Sequence, residues 1–70
     1  MKPEKKNIKR VGNRVRELRE ARGLTQEQLA SEARIDNSHL GKLERGEGNP
    51  TVALVTRIAL ALGVDIKDLF

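Results

Sequence analysis

Gly23-Leu24-Thr25-Gln26-Glu27-Gln28-Leu29-Ala30 holds a helix stop and a helix start in direct succession. Gly23 suits the left-handed residue that closes a helix, and Leu24 follows where a side chain packs back on the helix just ended. Thr25-Gln26-Glu27-Gln28 reads as a capping box. The Thr25 hydroxyl can take the amide of Gln28, whose side chain can return to the amide of Thr25. Leu29, Ala30 and Ala33 then form the apolar face of a short helix.

The reading extends in both directions from there. Upstream, Ile8, Val11, Val15 and Leu18 recur at steps of three and four, which places them on one face of a first helix. Downstream, a brief turn leads to Asp36, a favourable N-cap for a third helix whose apolar positions are Leu40 and Leu43 and whose stop is Gly46. Glu47-Gly48-Asn49-Pro50 cannot continue it, because proline biases the preceding residue away from helical angles. Thr51 caps a fourth helix over Val52 to Leu62. Leu54, Val55, Ile58, Ala59, Ala61 and Leu62 make it apolar over most of its circumference, so it is expected to be the most buried element. Gly63 ends it, and Asp65 caps a final short turn that brings Leu69 and Phe70 to the core. The pattern predicts an all-α chain of five helices with no strand and no internal repeat.

Composition narrows the function classes. A chain of 70 residues is one small domain, and burying only about 60% of its unfolded surface leaves a marginal core. No cysteine and one histidine exclude a disulfide framework and a zinc site, and no metal or cofactor is expected. Neither a membrane span nor a signal peptide is visible, which predicts a cytoplasmic protein without a membrane partner. The net charge of +4 is uneven: residues 1–22 carry nine Lys/Arg against three Glu, giving +6, and the rest carry five Lys/Arg against seven Asp/Glu, giving −2. A basic end favours an anionic partner such as nucleic acid. With one Phe and no Tyr or Trp there is no platform for stacking unpaired bases, which argues against single-stranded RNA or DNA as the main ligand. The chain divides into a basic tail over 1–7 and a domain over 8–70.

Two short helices joined by a three- or four-residue turn, on a scaffold of three more, match the outline of a DNA-binding helix-turn-helix. The residues add to that outline. Gly23 to Ala30, Leu40-x-x-Leu43-Glu44-Arg45-Gly46, Asn49-Pro50-Thr51 and Ile58-Ala59-x-Ala61-Leu62-Gly63-Val64 closely resemble the phage-repressor and Cro-like family of transcriptional regulators over residues 11–70.

The resemblance implies a compact five-helix domain of the lambda-repressor type, with Asn37 to Arg45 as recognition helix. Asn37, Ser38 and Lys42 would then face base edges, with His39 beside them. Asparagine can pair with adenine, lysine can donate to guanine, and serine is permissive. The same resemblance puts Gln26, Arg19, Arg45, Asn49 and Thr51 on DNA phosphates, and pairs Arg19 with Glu44 to fix the recognition helix. It further implies a homodimer on a two-fold site. The apolar composition of the fourth helix and C-terminal turn, including Val52, Val64 and Phe70, places the interface there rather than on the basic first helix, where like charges would meet. Three residues depart from the family pattern. Arg34 stands where glycine is usual in the turn, Glu47 where a cation is usual, and Gly41 lies inside the recognition helix.

Other classes fit less well. Ser38, His39 and Asp36 are triad residue types, but neighbours along one helix do not face each other, so no enzyme is expected. An antitoxin or another protein-interaction module built on the same fold is the alternative reading, with an unknown protein effector as its partner. The 70 residues suit either a minimal regulator or part of a longer one.

Overall fold

Residues 5–70 are described by the computed structural model of the chain. Four α-helices follow in order, α1 (Lys5–Ala21), α2 (Gln26–Ala33), α3 (Asn37–Glu44) and α4 (Val52–Leu62), and a 3-10 helix over Ile66–Leu69 closes the fold. There are thus four α-helices rather than the five expected. The C-terminal element is a single tight turn, too short to develop α-type hydrogen bonds. There is no strand among the described residues. Helix α1 already takes in Lys5, Lys6 and Asn7, which the sequence suggested as tail. Residues 1–4 of that tail lie outside the described residues.

The helix ends are built by the residues that announce them. The amide of Gln28 donates to Thr25 Oγ1 at 3.1 Å and the amide of Thr25 donates to Gln28 Oε1 at 2.8 Å, closing the capping box. The amide of Ser38 donates to Asp36 Oδ1 at 3.2 Å, and that of Leu54 to Thr51 Oγ1 at 3.0 Å. Each of these oxygens satisfies an amide that the first helical turn leaves without a partner.

Val15, Leu29, Leu40, Leu43, Ile58, Leu62 and Leu69 are the largest fully buried side chains, and they come from every element. Helix α1 packs on α3, α2 packs on α3 and α4, and the 3-10 helix packs on α4 and α1. The crossing of α1 over α3 is the closest backbone approach that a glycine permits here. A Cβ on Gly12 would stand 2.0 Å from the carbonyl oxygen of Leu43.

Helix α4 is less buried than its composition suggests. Val55, Ile58, Ala59 and Leu62 face the core, whereas Val52 and Leu60 are each 74% exposed. With Thr56 between them, these residues form a stripe at i, i+4 and i+8 that the compact bundle leaves in water. At the C-terminus Leu69 is buried as expected but Phe70 is 64% exposed, so it does not join the core.

The turn between α2 and α3 comprises Arg34, Ile35 and Asp36. Arg34 adopts φ 57° and ψ 46°, the left-handed conformation that suits the glycine usual in the family at that position. It is the one residue other than glycine with positive φ among the described residues. An L-residue there costs roughly 1 kcal/mol, partly offset in any glycine variant by the greater entropy of its unfolded chain. Arg34→Gly is therefore expected to leave the thermal midpoint unchanged or slightly raised. A clear drop in a melting experiment would mean that the arginine side chain supports the turn.

Candidate DNA interface

Helix α3 presents two chemically distinct faces. Leu40 and Leu43 are buried against the bundle, while Asn37, Ser38, His39 and Lys42 are exposed on the other side. Burial of the leucines fixes the rotation of the helix, because turning it would expose them to water at a cost of about 1.5–3 kcal/mol each. The exposed set includes Asn37, Ser38 and Lys42, which the family resemblance puts at base edges, with His39 beside them. The Asp36 carboxyl is held below the usual carboxylate range, chiefly by the backbone amide of Ser38 and then by its hydroxyl. In the free protein, part of Ser38 is thus occupied by the cap.

A network behind α3 ties three helices together. Arg19 of α1 donates from Nε to Glu44 Oε2 at 2.7 Å and from Nη2 to Glu44 Oε1 at 3.0 Å, a two-pronged pair between planar groups. Its Nη1 donates to the carbonyl oxygen of Leu24 at 2.7 Å, which ties α1 to the segment leading into α2. The side chains of Arg19 and Glu44 are only 11% and 3% exposed. The hydrogen bonds that Arg19 donates to the Glu44 carboxylate hold the guanidinium even more firmly protonated than usual. With three of its five N–H groups engaged, Arg19 acts here as a strut, and little of it remains for a phosphate.

Gln26 joins this network, which its position at the start of α2 did not announce. Its Nε2 donates to Glu44 Oε1 at 3.0 Å, so the amide expected on a phosphate is held against α3 by one of its two N–H groups. Gly41 lies under this side chain. A Cβ there would meet the guanidinium of Arg45 at 3.3 Å and Gln26 Oε1 at 3.6 Å, both ends of flexible side chains. Gly41 thus leaves room for Gln26 and Arg45 to converge.

Arg45, the C-cap of α3, pairs with Glu47 through an exposed salt bridge. The unusual carboxylate of Glu47 thus meets the neighbouring guanidinium of Arg45. Lys42, His39, Asn49 and Thr51 line one groove between α3 and the loop that precedes α4. The oxygen of Thr51 is occupied in capping α4, which leaves its hydroxyl proton available to an acceptor. Asn37 and Ser38, at the N-terminal end of α3, do not line this groove.

The sequence of the helix-turn-helix family matches residues 15–69, which include every element just described except the start of α1. The chain belongs to the helix-turn-helix family. Among curated relatives, the immunity repressor protein of Bacillus phage phi105 is 39% identical over 57 residues, which cover 81% of this chain and 40% of the repressor. The chain thus spans less than half the length of that relative. Among solved structures, the restriction-modification controller protein C.AhdI from Aeromonas hydrophila superposes with a TM-score of 0.89 at 38% identity, covering 93% of this chain and 98% of that one. The biofilm master regulator SinR, solved in complex with DNA, superposes with a TM-score of 0.80 at 27% identity over 84% of this chain and 95% of its own.

No described helix of this helix-turn-helix domain is long and apolar enough to cross a membrane.

Proposed function

We propose that this helix-turn-helix chain binds double-stranded DNA sequence-specifically in the major groove, as the DNA-reading part of a transcriptional regulator of repressor or controller type. The observation that carries the reading is α3 itself. It is held from behind by buried Leu40 and Leu43 and by the Arg19–Glu44 pair, and it turns Asn37, Ser38, His39 and Lys42 to solvent. Base edges are read by such polar side chains, and rigid placement is what lets them discriminate. Gln26, Arg45, Asn49 and Thr51 flank that face and would take phosphates, which position the protein without specifying sequence. Acting on duplex DNA also suits a cytoplasmic location.

One recognition helix covers only a few base pairs. A homodimer on a two-fold site, with helices in successive major grooves about 34 Å apart, would supply the missing information. Exposed Val52 and Leu60 on α4, together with Phe70, are the apolar surface that favours an interface there. Val64 packs partly on the core, so it contributes less than the sequence suggested.

Selection from random duplex DNA tests the whole reading. Inverted repeats are expected, and substitution of Asn37 or Lys42 should change the preferred bases in both halves. Substitution of Gln26 should instead weaken all sites about equally. Short asymmetric sites bound by one copy would overturn the dimer, and unchanged preference after replacing both Asn37 and Lys42 would overturn the role of α3.

A further inference from the structure

We infer that Lys9 is a phosphate-binding residue, so that the DNA interface continues from α3 across the following loop onto the start of α1. The inference rests on the duplex-DNA reading above. It begins with Gly46, whose φ of +75° suits a residue without Cβ. A Cβ there would stand 2.5 Å from Lys9 Cγ and 3.2 Å from Lys9 Cα. The glycine therefore does more than end α3: it lets the aliphatic base of the Lys9 side chain lie directly on the loop. A lysine stem seated in this way carries its ammonium outward, and Lys9 is exposed.

Charge gives the seat its meaning. Lys9, Arg45, Glu47 and Asn49 border one open basin. Arg45 and Glu47 pair with each other, so their charges offset, and Lys9 supplies the net positive charge of the basin. Asn49 lines both this basin and the groove beside Lys42. A DNA backbone laid against Asn49 therefore runs along the edge that Lys9 occupies. A cation there recovers what the carboxylate of Glu47 withdraws from the loop.

The test measures binding of the full chain to a mixed-sequence duplex across a series of salt concentrations. Lys9→Gln removes the charge and keeps most of the stem. It should reduce the magnitude of the slope of log Kobs against log salt by about 0.9 for each copy bound, the value of one phosphate contact. The melting temperature and the preferred bases should not change. Lys9→Arg should keep the wild-type slope, which separates charge from packing. Lys67→Gln removes the same charge from the 3-10 helix, which packs on α1 and α4, and should leave the slope as it was. An unchanged slope in Lys9→Gln, or an equal fall in Lys67→Gln, overturns the assignment while the wild-type chain still binds. Failure of the wild-type chain to bind duplex DNA would instead overturn the reading beneath it.

Discussion

Gly12→Ala is expected to be among the most damaging single-atom changes in this domain, even though alanine is the better helix former. In an open helix the substitution gains up to about 1 kcal/mol. At Gly12 the new methyl would lie 2.0 Å from the Leu43 carbonyl oxygen, 3.1 Å from its carbon and 3.3 Å from Glu44 Cα. All three are backbone atoms of α3, so no side chain can rotate away and α1 must lift off. Overpacking typically costs roughly 1–3 kcal/mol and sometimes more. A domain of this size has only about 3–10 kcal/mol in total, at 0.05–0.15 per residue. Gly41→Ala is the internal control: the same change, also in a helix, meets only flexible side-chain ends. Denaturant titration should show a large loss for Gly12→Ala and a neutral or stabilising effect for Gly41→Ala. Equal behaviour of the two variants would contradict the close crossing of α1 and α3.

The second large effect belongs to Arg19 and Glu44. Removing one member of a buried pair leaves the other charged and desolvated, which costs about 3–5 kcal/mol. The lower end is expected here, since Arg19 keeps some solvent contact. In Arg19→Ala the Glu44 carboxylate retains only the Gln26 amide as partner, and in Glu44→Ala the guanidinium retains the Leu24 carbonyl. Each single variant should therefore be strongly destabilised, and the double variant should lose clearly less than the two losses added together. Strict additivity in the double-mutant cycle would mean that the contact carries no coupling energy.

Much of this fold is legible in the sequence because its boundaries are local chemistry. Thr25, Asp36 and Thr51 cap the helices that follow them, and Gly23, Gly46 and Gly63 adopt the left-handed backbone of helix ends. These signals act within one turn and do not depend on what packs beside them. The left-handed turn at Arg34 carries no such local signal, and only the glycine usual there in the family that the chain resembles points to it.

What was not legible depends on which elements meet. Gly12 carries no local signal, because its role comes from the backbone of α3 crossing it, and only its place on the Ile8 stripe at i+4 hints at a crossing. The exposure of Val52 and Leu60 followed from a bundle too small to surround α4 on all sides. Within the candidate site, Arg19 and Glu44 are 25 positions apart, and only the family resemblance pointed to their pairing. The tie between Gln26 and Glu44 depends on the distance from the α2 N-terminus to the end of α3, which no spacing along the chain encodes.

The bracing of α3 by Arg19, Glu44 and Gln26 has a bearing on time as well as on energy. A helix fixed before it meets DNA gives up little freedom on docking, so less of the contact energy is spent on ordering. It also has little latitude to tilt toward a mismatched base, and a wrong site loses its contacts outright. Encounter, governed by diffusion and by the basic surface, should proceed at similar rates on right and wrong sequences. On the proposed duplex-DNA reading the difference then falls on how long each complex survives, so that this domain would tell sites apart chiefly by dwell time.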